Sequence, residues 1–278
     1  MTETSQAIKT ARDYYNSHDA HTFYNTIWGG EDLHIGTYRL PEDTIFDASR
    51  RTVQKMAGLS ERLGDQSTVL DLGSGIGGSA RYLAKTYGCQ VVALNLSDVE
   101  NERHRTMNRE QGVDHLIEVV DGNFESVPKP DDSFDLVWSQ DAILHSPNRR
   151  QVLSEAQRGL KSGGEMIFTD PMQTEDCFEQ FLNPILKRIF LDSLATPSFY
   201  IQTGLELGLV LYSYENQPQQ LVNHYAQVLQ DTQSREQELR DQGVSEEYIQ
   251  HMKEGLKNWV LGGTYGHLTW GIFHFSKQ

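Results

Sequence analysis

Val69-Leu-Asp-Leu-Gly73-Ser-Gly75-Ile-Gly77-Gly78 is the stretch on which the reading of the fold turns. The apolar run Thr68 to Leu72 has the length of a buried strand and ends in turn-forming glycines. Helical periodicity begins at Ser79 and lasts to Tyr87. Outward from there, strands are predicted at Gln90–Leu94, Leu116–Val120, Phe134–Trp138 and Glu165–Thr169. Helices are predicted at Asp98–Gln111 and at Asn148–Leu160, the second stopped by Ser162-Gly-Gly164. This alternation predicts an α/β fold with a mostly parallel sheet and helices on both faces. After Asp170 the rhythm lengthens, with helices over 173–192 and Pro197–Leu207 and a strand at Leu209–Tyr214. Residues 217–258 read as long, polar and helical, and Leu268–Phe275 as a last strand. Residues 1–65 read as helical and rich in aromatics (Tyr14, Tyr15, Phe23, Tyr24, Trp28, Tyr38), with a loop at Asp32–Gly36. The excursion between the last two strands is too large for a connecting loop. Together with the N-terminal segment it reads as a cap over a ligand crevice. The expectation is one domain over 1–278, with cap segments about 1–66, 173–200 and 217–265.

The 278 residues carry 24 Lys and Arg against 39 Asp and Glu, a net charge of −15. That charge, with no basic tract, argues against nucleic acid or an anionic membrane as partner. The start lacks a basic segment followed by an apolar one, and no apolar run approaches the ~20 residues of a membrane span. Cys89 and Cys177 belong to no CxxC pair, so neither a disulfide framework nor a zinc site is expected. A cytoplasmic location, no metal, and a monomer or weak homo-oligomer are the expectations.

A strand end, a glycine turn and a helix start let the backbone approach a ligand closely. Gly73, Gly75 and Gly78 have dinucleotide spacing, whereas Gly73, Gly75 and Gly77 have the GxGxG spacing of S-adenosylmethionine (SAM) sites. Asp71, two residues before the first glycine, favours the second. Its carboxylate suits a ligand carrying an ammonium and a sulfonium, and sits badly beside a pyrophosphate. The end of the second strand carries Asn95, in Leu94-Asn-Leu96-Ser97, where an acidic ribose ligand is usual. After the third strand come Gly122-Asn123-Phe124, in a stretch that resembles the one with which class I SAM-dependent methyltransferases hold the adenine; a polar turn is the alternative. The fourth strand runs into Gln140-Asp-Ala-Ile-Leu-His145. On a helical turn Asp141 and His145 face the same way, as an acid/base pair or as a cap and a structural histidine.

With these elements in place the chain resembles the glycine/sarcosine/dimethylglycine N-methyltransferases, most of all their sarcosine/dimethylglycine branch. The resemblance rests on Phe23 to Tyr38, Asp71 to Tyr82, Leu94 to Ser97, Ser139 to His145 and Thr169-Asp-Pro-Met172. It implies a class I methyltransferase fold with a Rossmann-like sheet, SAM as co-substrate, and methylation of sarcosine or N,N-dimethylglycine to glycine betaine, an osmolyte. It implies a donor site from Trp28, Asp71, Gly73, Ser74, Gly75, Asn95, Leu96, Asn123, Phe124 and Gln140. Asp141 and His145 would act on the amine, and Tyr24, Met172 and Tyr200 would line the acceptor side. Arg39 and Arg188 are equal candidates for the substrate carboxylate. Phosphoethanolamine methyltransferases share a similar Gln/Arg-Asp-Ala-Ile-Leu-His element, so another small amine stays open as substrate. A SAM-binding module without catalysis and a nicotinamide-dependent oxidoreductase stay open as other classes.

Overall fold

A computed structural model describes residues 17–189 and 191–278; Tyr14 and Tyr15 lie outside them. In chain order its elements are α1 (His18–Trp28), α2 (Ile45–Ala57), β1 (Thr68–Leu72), α3 (Gly78–Tyr87), β2 (Gln90–Asn95), α4 (Asp98–Glu110) and β3 (Ile117–Asp121). They continue with β4 (Phe134–Gln140), α5 (Arg149–Gly159), β5 (Leu160–Gln173), α6 (Glu179–Ile189), α7 (Pro197–Glu206) and β6 (Leu209–Asn216). Helices α8 (Pro218–Ser234), α9 (Glu236–Asp241) and α10 (Glu246–Thr264) precede β7 (Leu268–Lys277).

Among the described residues these strands form one seven-stranded sheet in the order β3-β2-β1-β4-β5-β7-β6. The first five are parallel; β7 runs antiparallel between β5 and β6. Successive strand residues face opposite layers. Val69, Val91 and Trp138 enter one core; Leu70, Val92 and Val137 enter the other. The strand order reverses between β1 and β4, and in such sheets the crevice at the carboxyl ends of these strands takes the ligand.

A third core lies above that edge. Phe23, Ile27 and Trp28 of α1 pack with Val228 of α8, Leu239 of α9 and Met252 and Leu256 of α10. The expected 217–258 helix is therefore three helices, broken near Arg235 and at Gly243, whose φ is 87°. Residues 29–44 form an extended strap between α1 and α2 instead of continuing a helix. Helix α7, counted in part with the cap, instead belongs to the second sheet core through Tyr200. No helix among the described residues is long and apolar enough to cross a membrane.

Candidate active site

Two cavities meet at the carboxyl edge of the sheet. The first is walled by the glycine turn, the ends of β2 and β4, and strap residues 31–34. Gly77 caps α3 at φ 85°, and a Cβ there would lie 1.9 Å from His104 Nε2. A Cβ on Gly75 would meet nothing within 4 Å, so the turn leaves open space on its cavity side. Glu31, Asp32, Asp71, Glu100, Glu125 and Asp141 line this cavity, with no Lys or Arg among the described lining residues. Such a wall attracts a cation and repels a pyrophosphate.

The polar atoms are poised rather than spent. Asp71 is buried, its Oδ2 has no hydrogen-bond partner, and burial pushes its carboxyl up to about 7. Gln140 Oε1 accepts from Ser79 Oγ at 2.5 Å and Trp138 Nε1 at 3.1 Å, which leaves Nε2 as an unused donor. Ser74 Oγ is likewise buried without a partner. The acidic group absent at Asn95 comes from elsewhere: Asn95 Nδ2 donates to Glu100 Oε2 at 3.0 Å, and both residues line the cavity. Ser97 caps α4 by accepting from the Glu100 N–H, and this seats Glu100 one turn above the strand end. Glu100 was not anticipated, although Ser97-x-x-Glu100 is a capping-box spacing visible in the sequence. Among the described residues no group of three or more His, Cys, Asp or Glu could hold a metal ion.

The second cavity lies under the cap and shares Tyr24, Leu33, His34, Asp141 and His145 with the first. Four aromatic rings line it: Tyr24 and Trp28, 4.9 Å apart, and Tyr225 and Trp259, stacked at 4.8 Å. Arg188 is the one Lys or Arg among its described lining residues, and Asp141 the one carboxylate. Arg188 passes α10 where Gly255 leaves room, since a Cβ there would lie 2.0 Å from Arg188 Cδ.

Residues 70–168 match the family model of a methyltransferase domain. Over 272 residues the chain is 60% identical to a sarcosine/dimethylglycine N-methyltransferase of Halorhodospira halochloris, spanning 98% of this chain and 97% of that one. The chain belongs to the sarcosine/dimethylglycine N-methyltransferase family. It is also 45% identical to a dimethylglycine N-methyltransferase of Parasynechococcus marenigrum, over 98% of this chain and 96% of that one. A solved structure of a proposed sarcosine dimethylglycine methyltransferase from Galdieria sulphuraria superposes with a TM-score of 0.89 at 38% identity, covering 95% of this chain and 99% of that one. The protein is thus a SAM-dependent N-methyltransferase with the class I fold.

In this N-methyltransferase the residues singled out in the sequence fall into three groups. Asp71, Gly73, Ser74, Gly75, Asn95, Leu96, Asn123, Phe124 and Gln140 all line the first cavity. Trp28, expected beside the cofactor, lines the second, and Tyr24 lines both. Met172 and Tyr200, expected on the acceptor side, line neither cavity. Strand β5 continues to Gln173, so Pro171 faces the second cavity while Met172 turns into the sheet core. Tyr200 is fully buried, its ring against Phe168 and Phe273 and its hydroxyl donating to Asp170 at 2.5 Å. Arg39 lies in a separate surface groove.

Asp141 and His145 both border the two cavities, but not as the expected pair. Asp141 has a left-handed backbone, φ 52°, and a short 3-10 turn, Ile143–His145, follows it, so the four-residue spacing does not bring the two side chains together. The Asp141 carboxylate accepts instead from Ile35 N–H at 2.6 Å, Trp270 Nε1 at 2.7 Å and Thr169 Oγ1 at 2.8 Å. It clamps the strap to the ends of β5 and β7. Burial, with Arg149 and Arg188 nearby, pushes His145 down to about 4, so its imidazole is neutral at pH 7.

Proposed function

We propose that the protein transfers the SAM methyl group to sarcosine and to N,N-dimethylglycine, ending at glycine betaine. One observation carries this reading: an acidic cavity with no Lys or Arg among its described lining residues opens onto an aromatic cavity with one guanidinium among its own. SAM supplies a sulfonium methyl group. Asp71 takes the ligand ammonium, Gln140 Nε2 and Ser74 Oγ donate to its carboxylate, and Asn95 with Glu100 holds the ribose hydroxyls. Asn123 and Phe124 take the adenine, with Leu96 against it. These atoms are aimed before the ligand arrives, which lowers the ordering cost of binding.

In the second cavity Arg188 holds the acceptor carboxylate. Tyr24, Trp28, Tyr225 and Trp259 surround the amine, each ring worth roughly 0.5–2 kcal/mol to the cationic product. His145 is not the base. A proton moved from an alkylammonium near 10.4 to an imidazole near 4 climbs about 9 kcal/mol. The amine therefore loses its proton to water on entry, and the site contributes mainly positioning, which alone can be worth factors of ~10².

The test is incubation with methyl-labelled SAM and a panel of small amines, read by mass spectrometry. Labelled betaine from dimethylglycine supports the reading. Labelled phosphoethanolamine with untouched dimethylglycine moves the substrate to another class, and SAM binding with no transfer leaves a binding module.

A further inference from the structure

Two histidines of the second cavity are held with their ring protons on opposite nitrogens. His34 Nδ1 lies 3.2 Å from the carbonyl oxygen of Ile35, and a carbonyl only accepts, so Nδ1 carries the proton. Its Nε2 is then a bare acceptor, buried and without a hydrogen-bond partner, on a side chain that is 6% exposed and lines both cavities. His224 is the reverse. Its Nδ1 lies 3.3 Å from the backbone N–H of Gly36, which only donates, and 3.1 Å from the Tyr38 hydroxyl. Nδ1 is the acceptor, and the proton sits on Nε2 of a ring that lines the second cavity. Asp141 just past β4 and Arg50 on α2 act electrostatically on His34, and His34 acts in the same way on His224. Burial pushes His34 down to about 4 and His224 to about 3, so both rings stay neutral and keep these protons at pH 7.

We propose that the two rings read opposite ends of the methyl acceptor: His34 Nε2 accepts the N–H of sarcosine where the cavities meet, and the His224 Nε2–H donates, with Arg188, to the carboxylate. This rests on the substrate reading above. Neutral sarcosine has one N–H and one lone pair. With the N–H held by His34, the lone pair is left to aim at the sulfonium methyl. The new N–C bond forms from that pair as the S–C bond breaks and sulfur recovers its electrons. The N–H proton stays on the product dimethylglycinium and passes to water before a second transfer. Neutral dimethylglycine has no N–H to offer. His34 therefore assists the first methylation and not the second, while His224 serves both.

The experiment measures kcat/KM for sarcosine and for dimethylglycine at saturating SAM, in wild type, His34→Leu, His34→Gln and His224→Phe. Calorimetric SAM affinity and melting curves accompany each. His34→Leu is expected to lower the sarcosine value about tenfold more than the dimethylglycine value, the worth of one buried hydrogen bond. His34→Gln, which offers an acceptor oxygen, recovers part of that ratio, and His224→Phe raises KM for both substrates by one factor. Equal losses on the two substrates in His34→Leu overturn the assignment, because a merely structural role moves them together. A wild type that methylates dimethylglycine but not sarcosine overturns it too and leaves the dimethylglycine half of the substrate reading standing. Methylation of neither substrate sinks that reading itself, and the assignment with it. Should His34→Leu not fold, long-range 1H–15N spectra of wild type decide: one ring protonated at Nδ1 and the other at Nε2 is required, and the same tautomer at both positions refutes the proposal.

Discussion

Asp71 makes the affinity for SAM a function of pH. Its buried carboxyl titrates near 7 in the free protein, against an ordinary value of 3.8, because burial disfavours the charge. A bound ammonium restores the charged form, so binding below pH 7 must expel a proton. Each pH unit then costs 1.36 kcal/mol, a factor of ten. From pH 8 to pH 5 Asp71 alone should raise the apparent Kd about a hundredfold, roughly 2.7 kcal/mol. Asp32, on the same wall and pushed by burial to about 6 while paired with Arg50 at 2.8 Å, adds a second and lower inflection. Asp71→Asn should bind at least tenfold more weakly at pH 8, lose the inflection near 7 and keep the lower one. The assay is titration calorimetry across pH 5–8 in two buffers of different ionisation enthalpy, so that proton release is counted directly. A wild-type Kd flat over that range, with no protons released, refutes the argument.

The same carboxyl bears on stability with the opposite sign. A folded-state pKa raised above the unfolded one means that the free protein loses stability as pH rises from the unfolded value through the folded one. Free Asp71→Asn protein should therefore melt higher than free wild type at pH 8, and the gap should close towards pH 4. Glu100→Gln should weaken SAM binding roughly tenfold, the difference between a charged and a neutral hydrogen bond, as calorimetry would show. Gly255→Ala should displace Arg188 and raise KM for the acceptor while SAM affinity holds; an unchanged KM would remove Arg188 from the carboxylate site. With SAM saturating, log kcat/KM for dimethylglycine should climb through pH 6–8 with the substrate's own deprotonation. An inflection near 6.5 that vanishes in His145→Gln would restore a histidine base.

The donor half of the site was legible because it is local. Strand end, glycine turn and helix start lie within about fifteen residues, and Asp71, Gln140 and Asn123 lie at or just past the carboxyl ends of β1, β4 and β3, which the sheet brings to one edge. The acceptor half was not. Tyr225, Trp259, Arg188 and His224 come from three helices more than 150 residues beyond Tyr24, and nothing in their spacing announces that they converge. His34 lies inside the Asp32–Gly36 loop, yet its role depends on which nitrogen a neighbouring carbonyl claims. The Asp141–His145 pair failed for a definite reason: four-residue spacing implies a shared face only on an α-helix, and Asp141 sits at φ 52°. Met172 was misplaced because β5 runs on past Thr169, where strand alternation decides which side chains leave the core, and Tyr200 because α7 packs into the second sheet core.

The insertion of β7 between β5 and β6 bears on how the chain can be made. Until residues 268–277 leave the ribosome, β5 has a bare edge beside Met166, Ile167 and Phe168, and β6 has no strand to pair with. Some 95 residues separate the end of β5 from the start of β7, and at about 5–20 residues per second their synthesis takes roughly 5–20 s. For that interval the nascent chain carries an apolar strand edge open to pairing with other chains. The five parallel strands can assemble as they emerge, but the sheet closes only after translation has passed β7, so the yield of native protein should depend on chaperone supply during those seconds.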